Sequence, residues 1–174
     1  MTSNWALPTI INQYPESGAD LVHISWQEVD NFDSLKFANG KFIKTSRDLL
    51  HIARDPKHDI IEKTYFLKCT GFNFINLPPI PSGIEVKLIS NRYGRISDDT
   101  IQLCLNDNII GDNRGSLSLE PIKIYGNNTD MWNTNLTNLD FLNSSFGIIL
   151  RFKSHPNWPH KCSMLIDAVE IRVH

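Results

Sequence analysis

Residues 64–106 read TYFLKCTGFNFINLPPIPSGIEVKLISNRYGRISDDTIQLCLN, and this stretch decides the fold. An apolar run gives way to a proline-rich turn, then to two alternating runs separated by a polar, glycine-containing turn. Ile84, Val86 and Leu88 fall on one side of an extended backbone, with Glu85 and Lys87 on the other. Ile101, Leu103 and Leu105 repeat the pattern against Thr100, Gln102 and Cys104. A period of two predicts strands with one buried and one wet face. The segment 92–99 between them reads as a polar turn.

Outward from this stretch the same signal recurs. Downstream, Phe146, Ile148, Leu150 and Phe152 share one face, and Val169, Ile171 and Val173 oppose Glu170, Arg172 and His174. Between residues 119 and 125, Ile122 and Ile124 point inward if Lys123 and Tyr125 point out. Upstream, a strand is predicted around Val22, Ile24 and Trp26, and Asn39-Gly40 suits a tight hairpin because both residues tolerate positive φ. Residues 45–54 fit a short helix or a strand equally well. Pro78, Pro79 and Pro81 cannot donate to a ladder, so 77–81 is a stiff connection. Short strands, regular turn signals and little helix predict an all-β protein, an antiparallel β-sandwich of jelly-roll type over residues 21–174. Residues 1–20, broken by Pro8, Pro15 and Gly18, form an extended N-terminal arm anchored by Trp5, Leu7, Ile10 and Ile11.

Composition narrows the function. The 174 residues carry a net charge of −2, and no segment concentrates Lys and Arg, which argues against nucleic acid as a partner. No apolar stretch approaches the roughly 20 residues that span a bilayer, so no membrane partner is expected. The first residues lack a basic region and an unbroken apolar run, so no signal peptide is expected. Cys69, Cys104 and Cys162 lie far apart and read as small buried hydrophobes. The sequons at Asn127, Asn135 and Asn143 read as chance in an Asn-rich chain.

Candidate sites are few. His155, His160 and Cys162 straddle a Pro/Trp turn without a carboxylate at ligand spacing, so no metal is assigned to them. Asp98, Asp99, Asp107 and Asp112 lack the spacing of a calcium loop and read as solvated turn aspartates. Asp167 shares parity with Leu165 and Val169; its carboxylate must find a donor inside, or a bulge must turn it outward. The connection 126–145 is long enough to carry a contact or a function. Within it Trp132 is a stacking platform, an interface anchor or a pin for the loop. No paired carboxylates, Ser-His-Asp arrangement or phosphate loop can be read, so no enzyme, catalytic residue or cofactor is assigned.

In their order, these pieces resemble a pattern in virion proteins of tailed bacteriophages. The shared elements are Gly71-Phe72-Asn73-Phe74, Pro81 and Gly83, Arg92, Asp99, Asp130 with Trp132, Phe146-Gly147, and Asp167-Ala168-Val169. Asn133 stands where that pattern carries glycine. The resemblance implies a non-enzymatic virion structural protein assembled in the host cytoplasm. It implies a capsid cement or decoration role, with the major capsid protein and copies of itself, as a homo-oligomer such as a trimer, for partners. A tail, neck or baseplate component is the alternative within that class, and a carbohydrate-binding sandwich is the alternative outside it. Trp5, Leu7, Ile10, Ile11, Asp130, Trp132 and Trp158 are the expected partner contacts.

Overall fold

The computed structural model describes residues 2–16, 23–28, 43–45, 51–53, 59–117, 120–154 and 161–174. In chain order the strands are β1 (Ile10–Tyr14), β2 (His23–Ile24), β3 (Trp26–Glu28), β4 (Ile43–Thr45), β5 (His51–Ala53), β6 (Asp59–Ile61) and β7 (Lys63–Thr64). They continue as β8 (Phe66–Thr70), β9 (Ile84–Tyr93), β10 (Ile96–Leu105), β11 (Asn108–Ile110) and β12 (Ile122–Asn127). A one-turn helix, α1 (Asn138–Phe141), precedes β13 (Gly147–Ser154) and β14 (Ser163–Val173). One sheet runs β1-β8-β13-β10-β11, with β7 beside β13 and β2 beside β7; the other runs β12-β9-β14-β4-β3. All pairings of the long strands are antiparallel. The protein is an all-β sandwich. Strand, rather than helix, forms the described part of the ambiguous stretch 45–54, and Asn39-Gly40 lies outside the described residues.

The alternation read from the sequence builds the core. Ile84, Val86 and Leu88 from one sheet and Ile101, Leu103, Ile148 and Leu150 from the other are fully buried. Each such side chain contributes about 1.5–3 kcal/mol by leaving water. The turn between β9 and β10 is shorter than the sequence suggests, since only Gly94 and Arg95 lie outside strands. Gly94 has φ +76°, which a side chain would resist. β9 and β10 belong to different sheets. The two runs that announce the fold therefore face each other across the core instead of pairing as a hairpin.

Two bulges re-phase the long strands. Pairing of β14 with β9 skips Asp167, between Ile166 and Ala168. Met164 and Ile166 are in the core before it, and Val169, Ile171 and Val173 after it. Parity with Leu165 is thus broken at Asp167, yet the bulge does not turn the residue out to solvent: Asp167 remains buried. Pairing of β10 with β13 skips Asp99 in the same way. Ile96 and Asp98 precede that bulge on the buried side, and Ile101 and Leu103 follow it.

Strand β12 corrects the reading of its own parity. Tyr125 pairs with Val86 and Lys123 with Leu88. Residues opposite each other on antiparallel strands share a face, so Tyr125 and Lys123 turn inward with Val86 and Leu88. Ile122 and Ile124 are left on the outer face. Apolar identity misled here because the inward positions meet a buried carboxylate, Asp98, rather than a purely apolar core.

The N-terminal segment is bonded to both sheets. Ser3 N–H donates to Val173 O at 2.8 Å, and Ala6 and Ile171 exchange backbone bonds of 2.8 and 3.0 Å. Four residues later β1 pairs along all of β8. The segment crosses from one sheet to the other and closes that side of the sandwich.

Candidate functional site

The connections at one end of the sandwich carry four of the five most exposed large apolar side chains among the described residues. Residues 71–83 link β8 to β9, and residues 128–146 link β12 to β13. They meet where Asn138 Nδ2 donates to Pro79 O at 3.3 Å and where the Phe74 and Phe141 rings lie 6.0 Å apart, edge to face. Phe141 also packs edge-on against Phe146 at 4.9 Å. Helix α1 is started by Asp140, whose carboxylate accepts from the Thr137 N–H at 2.8 Å, and it turns Phe141 into the core. The same helix turns Leu139 and Leu142 out. Those two residues are 80% and 64% exposed, and Ile75 and Ile80 on the facing connection are 62% and 83% exposed. Four large aliphatic side chains on two touching loops form an exposed apolar end over a buried aromatic cluster.

Trp132 holds this end together from beneath and is not part of its surface. Its indole is fully buried, and Nε1 donates to Ile84 O at 2.9 Å. Its backbone sits at φ +56°. Asp130 supports it: one carboxylate oxygen accepts from Trp132 N–H and from Arg114 Nη2, both at 2.8 Å. Asp130 O accepts from Ile84 N–H at 2.9 Å. Of the expected partner contacts, Trp132 is therefore corrected to an internal pin of the long loop, and the half-buried Asp130 braces it. The physical reason is that the buried indole gives its one N–H to a main-chain carbonyl at a strand end.

The remaining expected contacts divide. Trp5 is half-buried between Lys87 Nζ, 4.5 Å from its ring centre, and the Arg172 guanidinium at 4.3 Å. Leu7 is half-buried, Ile11 packs on the core, and Ile10 is exposed on the edge strand β1. Trp158 lies outside the described residues, as do His155 and His160. Burial of Trp132 removes it as a sugar-stacking platform.

A second cluster, invisible to spacing, lies between the sheets beside the β9–β10 corner. Asp98 of β10 accepts from Arg92 Nη2 at 3.0 Å, Lys123 Nζ at 3.1 Å, the Tyr125 hydroxyl at 2.9 Å and Ser116 N–H at 3.1 Å. Lys123 also bonds Ser116 Oγ. Burial and then the Asp98 charge push the Tyr125 phenol far above its ordinary range, so it stays a donor. Four donors converge on one buried carboxylate, an ionic knot between the sheets.

The other three turn aspartates also face bases, and Asp98 and Asp99 are withdrawn from water rather than solvated as expected. Asp99 is bridged by Arg151, Lys153 at 3.1 Å and Lys63 at 3.4 Å; Asp107 pairs with Lys68, and Asp112 lies 3.7 Å from Arg114. Among the described residues no group of three or more His, Cys, Asp or Glu side chains could hold a metal. Cys69, Cys104 and Cys162 are buried and free, and burial pushes the Cys104 thiol up to about 11. Such a thiol is a poor nucleophile.

Acid should loosen this fold in a defined range. Burial alone would raise the Asp99 carboxyl, but the surrounding Arg151, Lys153 and Lys63 outweigh it and hold the pKa below the ordinary value. Glu85 is also lowered: burial is outweighed there by hydrogen bonds from His174 and Arg172. A lowered native pKa means that the unfolded chain binds more protons in this range, so stability falls as pH falls. The urea midpoint should hold level above about pH 5 and drop steadily below about pH 4, where these carboxylates become protonated. Asp99→Asn should flatten that acid limb, measured by urea titration at a series of pH values.

A comparison with family models found no match. Comparisons with curated proteins and with solved structures found no significant match.

Proposed function

We propose that this chain is a non-enzymatic structural protein of a tailed-bacteriophage virion, a jelly-roll-like cement or decoration subunit that adheres to the major capsid protein. The virion assignment is supported by the order of short motifs from Gly71-Phe72 to Asp167-Ala168-Val169. The adhesive role is carried by one observation, the exposed aliphatic end formed by Ile75, Ile80, Leu139 and Leu142. These side chains ride on loops anchored by Trp132 and Phe141, so little ordering entropy is lost when a neighbour covers them. Each contact is modest. Repeated over a lattice, many such contacts made together hold neighbours that a single one would release.

Placing the protein in purified particles tests the reading. Reconstruction should show its density on the capsid shell with the α1 end against the major capsid protein. Absence from particles ends the virion assignment, and density on the tail moves the subunit there. The double variant Ile80→Asp, Leu139→Asp should lose particle binding while its thermal melt stays within a few degrees of the parent, since both side chains are already in water. Unchanged binding by that folded variant would dismiss the α1 end as the contact.

A further inference from the structure

The N-terminal segment lies between the end of β14 and the connection 71–83, and it bonds to both. On the β14 side, Ser3 N–H donates to Val173 O, Val173 N–H donates back to Ser3 Oγ at 2.9 Å, and Ala6 exchanges its two backbone bonds with Ile171. On the other side, Asn4 N–H donates to Ile75 O at 3.2 Å, and Ile75 N–H donates to Asn4 Oδ1 at 2.6 Å. Farther along, Thr9 Oγ1 donates to Gly71 O at 2.8 Å. Among the described residues, the hydrogen bonds that reach residues 71–77 all come from this segment.

Ile75 is where that grip matters. The residue before it, Phe74, is packed against Phe141 and Phe146, and the residue after it, Asn76, takes φ +59° in the left-handed region. Ile75 itself is 62% exposed, so its own side chain does little to fix it. Its main chain is bracketed by Asn4 instead. Asn4 is exposed, which leaves hydrogen bonding as its contribution, and its Nδ2 donates to Trp5 O at 3.1 Å while Oδ1 faces Ile75. Leu139 and Leu142, across the apolar end, are held separately by helix α1 and the buried Phe141. The two halves of that end therefore have different supports, and the arm supports one of them.

We infer that residues 3–6 are a clasp for the apolar end and that Asn4 is its positioning residue, gripping the main chain at Ile75 and presetting the 71–83 half of the surface for a partner. Ile75 is then ordered before a partner arrives, and the cost of ordering it is not charged to binding. The sequence offers the arm as a contact in its own right; in the fold it works one step back, through Ile75. The clasp stands on the fold alone, and its effect on binding rests on the reading of the α1 end as the contact.

NMR relaxation of backbone amides, with binding to particles stripped of the subunit, tests it. In Asn4→Ala the order parameters at Ile75 and Asn76 should fall from about 0.85 to below about 0.6, while those at Leu139 and Leu142 keep their parental values. Particle binding should weaken about five- to tenfold, with the thermal melt held within a few degrees because Asn4 is exposed. Asn4→Asp keeps an oxygen facing the Ile75 amide and should recover most of both readouts. Order parameters at Ile75 and Asn76 unchanged in Asn4→Ala would overturn the clasp. So would a loosened loop that binds particles as tightly as the parent. The Ile80→Asp, Leu139→Asp variant, run in parallel, keeps the two readings apart: full binding by it dismisses the α1 end as the contact, and the order parameters then decide the clasp by themselves.

Discussion

Trp132→Ala should lower stability by about 4 kcal/mol, one of the two largest single-residue losses expected in this protein. The indole is fully buried, so truncation opens a cavity beneath the 128–146 loop. It also strips the Ile84 carbonyl of its 2.9 Å donor at the end of a core strand. The φ of +56° remains after truncation, so the alanine keeps the backbone cost without the packing that offset it. In a domain of this size the melting midpoint should fall by roughly 8–16 °C. Trp132→Phe separates the contributions: it keeps most of the ring packing but loses the donor, at about 1–3 kcal/mol. Gly126→Ala should be damaging for a related reason. Its φ is +78°, and an added Cβ would lie 2.2 Å from the Ile84 oxygen and 2.6 Å from Trp132 Nε1. Urea unfolding measures all three. A Trp132→Ala protein of parental stability that had lost glycan binding would restore the stacking-platform reading.

Asp98→Ala should be comparably severe, at about 3–5 kcal/mol, because it breaks a buried ionic knot from its centre. The substitution leaves Arg92, 2% exposed in its side chain, without the carboxylate it faces at 3.0 Å. Lys123 and the Tyr125 hydroxyl lose their acceptor in the same step. The donors and the acceptor sit on opposite sheets, so the loss loosens the joint between them. Replacing the pair together, as Arg92→Met with Asp98→Leu, should cost much less than the sum of the single changes, with a coupling of at least about 1 kcal/mol. A double-mutant cycle in urea reads this directly. Additive losses would mean that Arg92 and Asp98 are neighbours without being partners.

The sequence showed the sandwich because in its strongest strands side-chain identity and position agree. Ile84, Val86 and Leu88 alternate with Glu85 and Lys87, and no tertiary contact overrides them. Three features depended on partners far along the chain and were less legible. Lys123 and Tyr125 look like outward residues until β9 fixes their register and Asp98 receives them. Asp167 could be recognised as a problem for a regular strand, but that a bulge re-phases the strand there while the residue stays buried needed β9 opposite. Trp132 reads as a buried pin, a surface anchor or a stacking platform. Only the Ile84 carbonyl, 48 residues away, decides for the pin. The exposed aliphatic end was legible only in part: the long loop drew attention, but the exposure of Leu139 and Leu142 follows from a one-turn helix with no periodic signal of its own.

The two-residue corner at Gly94-Arg95 has a consequence for the order in which the molecule forms. It denies β9 and β10 each other as hydrogen-bonding partners and leaves β9 to pair with β12 and β14, and β10 with β13. Closing those distant ladders means bringing together segments separated by much of the domain, which slows folding relative to a meander of local hairpins. During synthesis β9 leaves the ribosome long before β14, its longest ladder partner, and must wait with its backbone groups bonded to water. A chain stalled before residue 163 would leave the β14 side of that apolar strand unpaired, a natural target for chaperone capture or aggregation.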